Sequence, residues 1–179
     1  MATLLGGYVK TISEKLQRFW TLILLLLPKQ SKEQFSSWDK AFMKVALTWS
    51  ERSKDPSSQV GAVIAKGKDF ISPGFNGFAK GVRDLPERLA NRDIKYPLTL
   101  HAELNAILFA KQDLTGCTIY STHPPCERCA AVICQSGIKR VVYLEPSEEF
   151  KSRWNMMWVK VQFHEAGVTM ESMDGRLLH

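Results

Sequence analysis

The chain's four cysteines, Cys117, Cys126, Cys129 and Cys134, all fall within 18 of its 179 residues, and that clustering limits how the fold can be held together. Bridges confined to one patch would leave the rest of the chain unstapled, so a small disulfide scaffold is excluded. The core must come from apolar packing instead, and 45% hydrophobic against 23% charged residues supply the material for one. Cys126 and Cys129 form a C-x-x-C, which in an intracellular chain reads as metal or redox. A thioredoxin-like redox site takes a small polar or apolar pair inside the motif and a strand leading into it; the pair here is Glu127-Arg128. Cys117 and Cys134 read as inert core thiols.

The net charge of +6 does not point to nucleic acid once it is located. Residues 1–35 hold +3 of it, and the other +3 is spread among acids over 144 residues, with no basic stripe for a duplex or a tRNA. No apolar run approaches the 18 or so residues of a membrane span. Residues 1–37 stand apart as an extension and linker. Leu5, Val9, Ile12, Leu16, Phe19 and Ile23 make one stripe of an amphipathic helix, the run 19–27 is almost wholly apolar, Pro28 ends it, and 28–37 is polar. Docking against another subunit, attachment to a membrane surface and a tail with no role are the three readings of that stripe. No small-residue cleavage site follows Pro28-Lys29-Gln30, so a cytoplasmic setting is expected.

Residues 38–179 alternate helix and strand signals. Ser37 caps a helix with Asp39 in its first turn and Trp38, Phe42, Val45 and Trp49 as its buried stripe. Strands are expected over 60–65 and 70–75 around the turn Lys66-Gly67-Lys68-Asp69, then a long loop over 76–100. A helix over 101–111, a strand over 117–122, a helix over 125–135 and a strand over 140–144 follow. Ser147 begins a helix with the stripe Trp154, Met157, Trp158 and Val161; Gly167 stops it, and 168–171 is the last strand. The pattern predicts an α/β fold, a three-layer α/β/α sandwich on a five-stranded mixed sheet.

Two short pieces carry chemistry: His101-Ala102-Glu103 and Pro125-Cys126-Glu127-Arg128-Cys129. Pro125 suits a first helical position, which puts Cys126 and Cys129 on one face of a first turn, where the positive helix end favours thiolates. His101 and Glu103 converge only if His101 sits at the non-helical start of its helix. One imidazole and two thiolates make three ligands and leave a fourth position open, as a catalytic zinc requires; His123 is the nearby candidate for a fourth protein ligand. Zinc lowers the pKa of a bound water to about 7, and Glu103 is suited to shuttle its proton. The pair H-x-E and P-C-x-x-C is the signature of zinc nucleobase deaminases, in which the glutamate is not a ligand.

Over 38–171 the sequence resembles the deoxycytidylate (dCMP) deaminase family, and on more than the zinc motif. Gln59-Val60-Gly61-Ala62-Val63-Ile64 is similar to its first strand, and Gly74-Phe75-Asn76-Gly77-Phe78 with Gly81-Val82-Arg83-Asp84 to its substrate loop. Pro86-Glu87-Arg88, Lys95-Tyr96-Pro97, Leu104-Asn105-Ala106-Ile107 and residues 135–143 continue the match. The resemblance implies a cytidine-deaminase-like fold and conversion of dCMP to dUMP and ammonia. It implies one zinc held by His101, Cys126 and Cys129, with Glu103 as proton shuttle. Asn76 would hold the deoxyribose hydroxyl, the backbone around Ala102 and Thr122 the pyrimidine, and Tyr143 would face the phosphate. A homohexamer activated by dCTP and inhibited by dTTP, with Mg2+ accompanying the effector, completes what it implies.

Lys80, Arg83, Arg88, Arg92 and Lys95 cluster in the 76–100 segment and include candidates for a 5′-phosphate. Ala79 and Lys80 depart from the proline and arginine of many members, and lysine makes no forked contact. Dual action on dCMP and dCTP is therefore an alternative. Another zinc nucleobase deaminase is a second, and a non-catalytic zinc-stabilised scaffold, for which a carboxylate at Glu103 has no structural reason, is a third.

Overall fold

The computed structural model describes residues 35–153 and 156–179. Its elements in chain order are α1 (Ser37–Ser50), β1 (Gly61–Lys66), β2 (Asp69–Phe75), β3 (Gly77–Phe78), α2 (Pro86–Ala90), α3 (Arg92–Leu98), β4 (Thr99–Leu100), α4 (Ala102–Ala110), β5 (Thr118–Ser121), α5 (Glu127–Gln135), β6 (Arg140–Leu144), α6 (Glu148–Arg153), α7 (Met157–Ala166) and β7 (Thr169–Met173), followed by a 3₁₀ turn, Gly175–Leu178. Among these residues no helix is long and apolar enough to cross a membrane. The stripe of residues 5–23, the apolar run 19–27 and Trp154 lie outside the described residues.

The main sheet has the order β2-β1-β5-β6-β7. β1 pairs antiparallel with β2 and β5, while β6 pairs parallel with β5 and β7. The five-stranded mixed sheet is thus as expected. Alternation along the strands divides the core in two. Val63, Ala65, Tyr120 and Val142 face α1 and meet Phe42, Met43 and Ala46. Ala62, Ile64, Ile119 and Val141 point the other way, onto Ala102 and Ala106 of α4, Ala130 and Ile133 of α5, and Val159 and Phe163 of α7. Covering both faces makes the three layers, and explains why β1 reads as a nearly continuous apolar run.

Four details differ from the sequence-based expectations. The cap of α1 is Ser36, whose hydroxyl accepts from Asp39 N–H while the Asp39 carboxylate accepts from Ser36 N–H. Its buried face is Phe42, Met43 and Ala46; Trp38 stays 43% exposed, its ring beneath the Lys68 ammonium at 5.9 Å. The segment 76–100 is not one loop: Asn91 caps α3 through Asp93 N–H, and β3 pairs with β4. Residues 147–166 hold two helices, and the buried face of the second is Val159, Val161 and Phe163, with Trp158 half exposed. Gly167 does end it, in the left-handed conformation at φ 64°.

Candidate active site

The starts of α4 and α5 converge on one point. His101 is the N-cap of α4, at φ −72° and ψ 157°, so its side chain leaves an extended backbone while Glu103 sits in the first turn. That is the non-helical start that lets two residues only two apart serve the same site. Helix α4 is pressed hard onto β2: a Cβ on Gly74 would stand 2.2 Å from Ala102 O and 2.4 Å from Ala106 N. Ser72 Oγ donates to Ala106 O (2.6 Å) and Asn105 Nδ2 to Phe75 O (2.7 Å), fixing the helix along the strand. Cys126 is the N-cap of α5, at φ −81° and ψ 172°, and its sulfur accepts from Cys129 N–H at 3.5 Å. Pro125 accordingly stands one residue before the cap and not at the first helical position; a side-chain acceptor fits the cap because the first turn has spare N–H donors.

His101 Nδ1 lies 3.5 Å from Cys126 Sγ and 3.4 Å from Cys129 Sγ. A tetrahedral zinc with bonds of about 2.05 Å to nitrogen and 2.3 Å to sulfur separates such ligands by about 3.6 Å, so the donor set fits zinc in type and spacing. Among the described residues the three form the metal-capable cluster, with all donor atoms within 4.8 Å of one another. His123 lines the adjoining cavity and its Nδ1 sits 3.4 Å from Thr122 Oγ1, but it is not in the cluster. Three protein ligands therefore leave a position open.

Electrostatics separate the groups by role. Hydrogen bonding from Cys129, then from His101, pushes the Cys126 thiol down to about 3. The same sulfur contact, with burial, pushes Cys129 up. His101 is raised by its hydrogen bond with Cys126 against the opposing effect of burial. Glu103 is 4% exposed, and burial pushes its carboxyl up to about 7, against a backbone hydrogen bond and the nearby imidazole. A carboxyl near neutrality, held beside the ligands and outside their set, is suited to accept and return a proton at physiological pH. Cys117 is fully buried and Cys134 partly so; burial raises both thiols, as inert core positions require.

A cavity of about 560 Å³ opens over the cluster, within the range that holds small organic ligands. Asn76, Ala102, His101, Glu103 and Cys126 line it. The Asn76 amide is engaged on both sides: Nδ2 donates to Ser58 O and Oδ1 accepts from Val60 N–H, each at 2.8 Å. Neither Thr122 nor Tyr143 is among the lining residues; Thr122 is buried, its Oγ1 accepting from Gly61 N–H at 3.1 Å. Tyr143 lies half-buried on β6, where burial and then the Glu145 charge raise its hydroxyl, and Ser172 of the next strand hydrogen-bonds it.

Of the basic residues in the 76–100 segment, Arg92 and Lys95 reach the cavity, while Lys80, Arg83 and Arg88 do not line it. Lys95 is buried and paired with Asp55. Sequence reasoning missed this pair and also Arg128, which lines the cavity from between the two cysteines. The position of Arg128 inside C-x-x-C was the available signal; nothing in the sequence separates Lys95 from the exposed Lys80.

Comparison with known proteins agrees with this geometry. Residues 36–145 match the family described as the cytidine and deoxycytidylate deaminase zinc-binding region. An uncharacterized deaminase in the luxG 3′ region of Aliivibrio fischeri is 51% identical over 138 residues, covering 74% of this chain and 91% of that protein. Human deoxycytidylate deaminase is 37% identical over 147 residues, 78% of this chain and 82% of the human protein. The crystal structure of dCMP deaminase from the cyanophage S-TIM5, in complex with dCMP and dUMP, superposes with a TM-score of 0.63 at 26% identity, covering 79% of this chain and 100% of that one. With His101, Cys126 and Cys129 gathered at two helix starts and Glu103 buried beside them, the chain belongs to the cytidine and deoxycytidylate deaminase zinc-binding family.

Proposed function

We propose that this protein hydrolyses dCMP to dUMP and ammonia, a step that supplies dUMP for thymidylate synthesis. The observation that carries the reading is the buried Glu103 beside the His101, Cys126 and Cys129 cluster. The likeness to an enzyme described as bound to dCMP and dUMP supports the substrate. A scaffold would have no use for a carboxylate buried at that spot.

His101, Cys126 and Cys129 are the residues to hold zinc. When bound, zinc supplies the Lewis acidity that makes water a nucleophile at neutral pH. Glu103 takes a proton from water and delivers it to N3 of the pyrimidine as the water oxygen bonds to C4. It then takes the proton of the new C4 hydroxyl and passes it to the amine, the C4–N bond breaks, and ammonia leaves with a carbonyl formed at C4. Asn76 and Ala102 line the cavity, where Asn76 would meet the deoxyribose and the backbone at Ala102 the base. With the Lys95 charge met by Asp55, Arg92 and Arg128 are the cavity cations left for the 5′-phosphate.

The reading extends to regulation and setting. It takes the enzyme as a cytoplasmic homo-oligomer, a hexamer as the family resemblance implies, stimulated by dCTP with Mg2+ and restrained by dTTP, with residues 1–37 outside the catalytic domain. The test is ammonia release by the zinc-loaded protein from dCMP, dCTP, deoxycytidine and CMP, with and without added dCTP and Mg2+. Turnover of dCMP, raised by dCTP, is the expected result. Turnover of dCTP at a comparable rate would replace it with dual specificity, and no turnover of any would overturn it.

A further inference from the structure

Two stretches that line the cavity, the loop at residues 55–60 and helix α3, are tied by one buried ion pair. Lys95 Nζ lies 2.8 Å from Asp55 Oδ1, and the side chains are 3% and 10% exposed. The same carboxylate oxygen accepts the N–H groups of Ser57 (2.8 Å) and Ser58 (3.1 Å), and Lys95 Nζ also reaches Ser57 Oγ at 3.3 Å. Ser58 C=O in turn accepts from Asn76 Nδ2 at 2.8 Å, and Val60 N–H donates to Asn76 Oδ1 at 2.8 Å. An unbroken chain of hydrogen bonds thus runs from helix α3 through Asp55 and the turn at 57–58 to the amide of Asn76.

A charge buried this deeply costs several kcal/mol unless it is paired, so the lysine is not there for solubility. The pair Lys54–Asp84, at 69% and 31% exposure, is the surface kind that contributes little. Nor is Lys95 available to a substrate anion as a free cation, since Asp55 already meets its charge. What it does is hold one lining segment to another at a fixed spacing, on the side of the cavity where Asn76 stands.

We propose that Lys95 is a positioning residue for nucleotide binding: through Asp55 it clasps α3 to the 55–60 loop and so fixes the Asn76 amide against the sugar. This rests on the dCMP reading above. Loss of the clasp loosens the bound nucleotide and leaves the chemistry at Glu103 in place, so it acts on KM and not on kcat.

The test compares wild type with Lys95→Met and with the double variant Asp55→Asn/Lys95→Met, each as the full chain with kcat expressed per bound zinc. The double variant leaves no unpaired buried ion and carries the test if the single variant fails to fold. The expected result is a KM for dCMP raised about tenfold with kcat within about twofold of wild type, and a dUMP dissociation constant raised in step. A residue serving the fold alone would lower the active, zinc-loaded fraction and leave KM and the dUMP constant unmoved; that result overturns the proposal. Wild type that turns over no dCMP and binds no dUMP removes the dCMP reading and the clasp with it, an outcome distinct from a variant that binds normally.

Discussion

Tyr120 on β5 donates its phenolic hydrogen to Asp39 Oδ1 of α1 over 2.8 Å, across 81 residues of sequence. Arg140 of β6 meets the same carboxylate and also grips Glu171 of β7 through two bonds of 2.9 and 3.0 Å. One buried acid thus joins the first layer to three strands of the sheet. Burial alone would raise the Asp39 carboxyl, but the hydrogen bonds from Arg140, Ser36 and Tyr120 outweigh it and hold the group below its ordinary value. A folded value below the unfolded one means that ionised Asp39 contributes its full stability above about pH 4 and loses it as pH falls through the folded value. Asp39→Asn is expected to cost about 2 kcal/mol at pH 7, with the gap to wild type closing below about pH 4. Urea melts across pH measure it; a gap independent of pH would refute the assignment.

Glu103→Ala is expected to keep the fold and the metal, because no ligand is lost and a buried carboxyl is removed. Turnover of dCMP should fall about a thousandfold or more. Ammonia release together with zinc content by atomic absorption checks both halves; a variant that deaminates at the wild-type rate contradicts the proton-shuttle role.

Zinc content separates Cys126 and Cys129 from Cys134. Cys126→Ala and Cys129→Ala should bind no stoichiometric zinc, whereas Cys134→Ala should retain one ion per subunit. Stripping the metal with a chelator is expected to lower the unfolding temperature and abolish turnover, and added zinc should restore both.

Two glycine variants discriminate site geometry from general packing. Gly74→Ala drives a methyl into the backbone of α4 at Ala102 and Ala106, and Gly61→Ala into α1 at Ala46 O, 1.9 Å away. Each is expected to cost about 3 kcal/mol. Zinc affinity should drop for Gly74→Ala, which presses on the helix capped by His101, and hold for Gly61→Ala. Equal zinc affinity in both would show that the start of α4 does not depend on its contact with β2.

A protein lacking residues 1–34 is expected to bind zinc and unfold cooperatively, as circular dichroism melts would record. Unfolding on truncation would move the domain boundary upstream.

The metal centre was legible in the sequence because its chemistry depends on residue types at fixed short spacing, and because each helix start is marked by what precedes it. Its surroundings were less so. Trp38 and Trp158 fall at helical spacing with core residues, yet large amphipathic rings lie on the surface as readily as in the core, and the stripe at 42, 43 and 46 with its fully buried Met43 is what the sheet receives. Helix α3 is seven residues long and contains Pro97, a combination that reads as loop until the Asn91 cap and the contact with Asp55 are seen together. The Lys95–Asp55 pair spans 40 positions, and no local pattern records a partner chosen by tertiary packing.

His101 and Cys126 are both caps, residues that stand at the doorway of a helix rather than on its turns. The centre is therefore insensitive to how far either helix continues: extra turns beyond Ala110 or Gln135 would leave the donors where they stand. A single residue inserted just after either cap would rotate the following helix by about 100° relative to the donor, turning Glu103 away from His101 in one case and Cys129 from Cys126 in the other. Tolerance to length change should thus be sharply polarised along α4 and α5, rigid at the entrance and permissive at the exit.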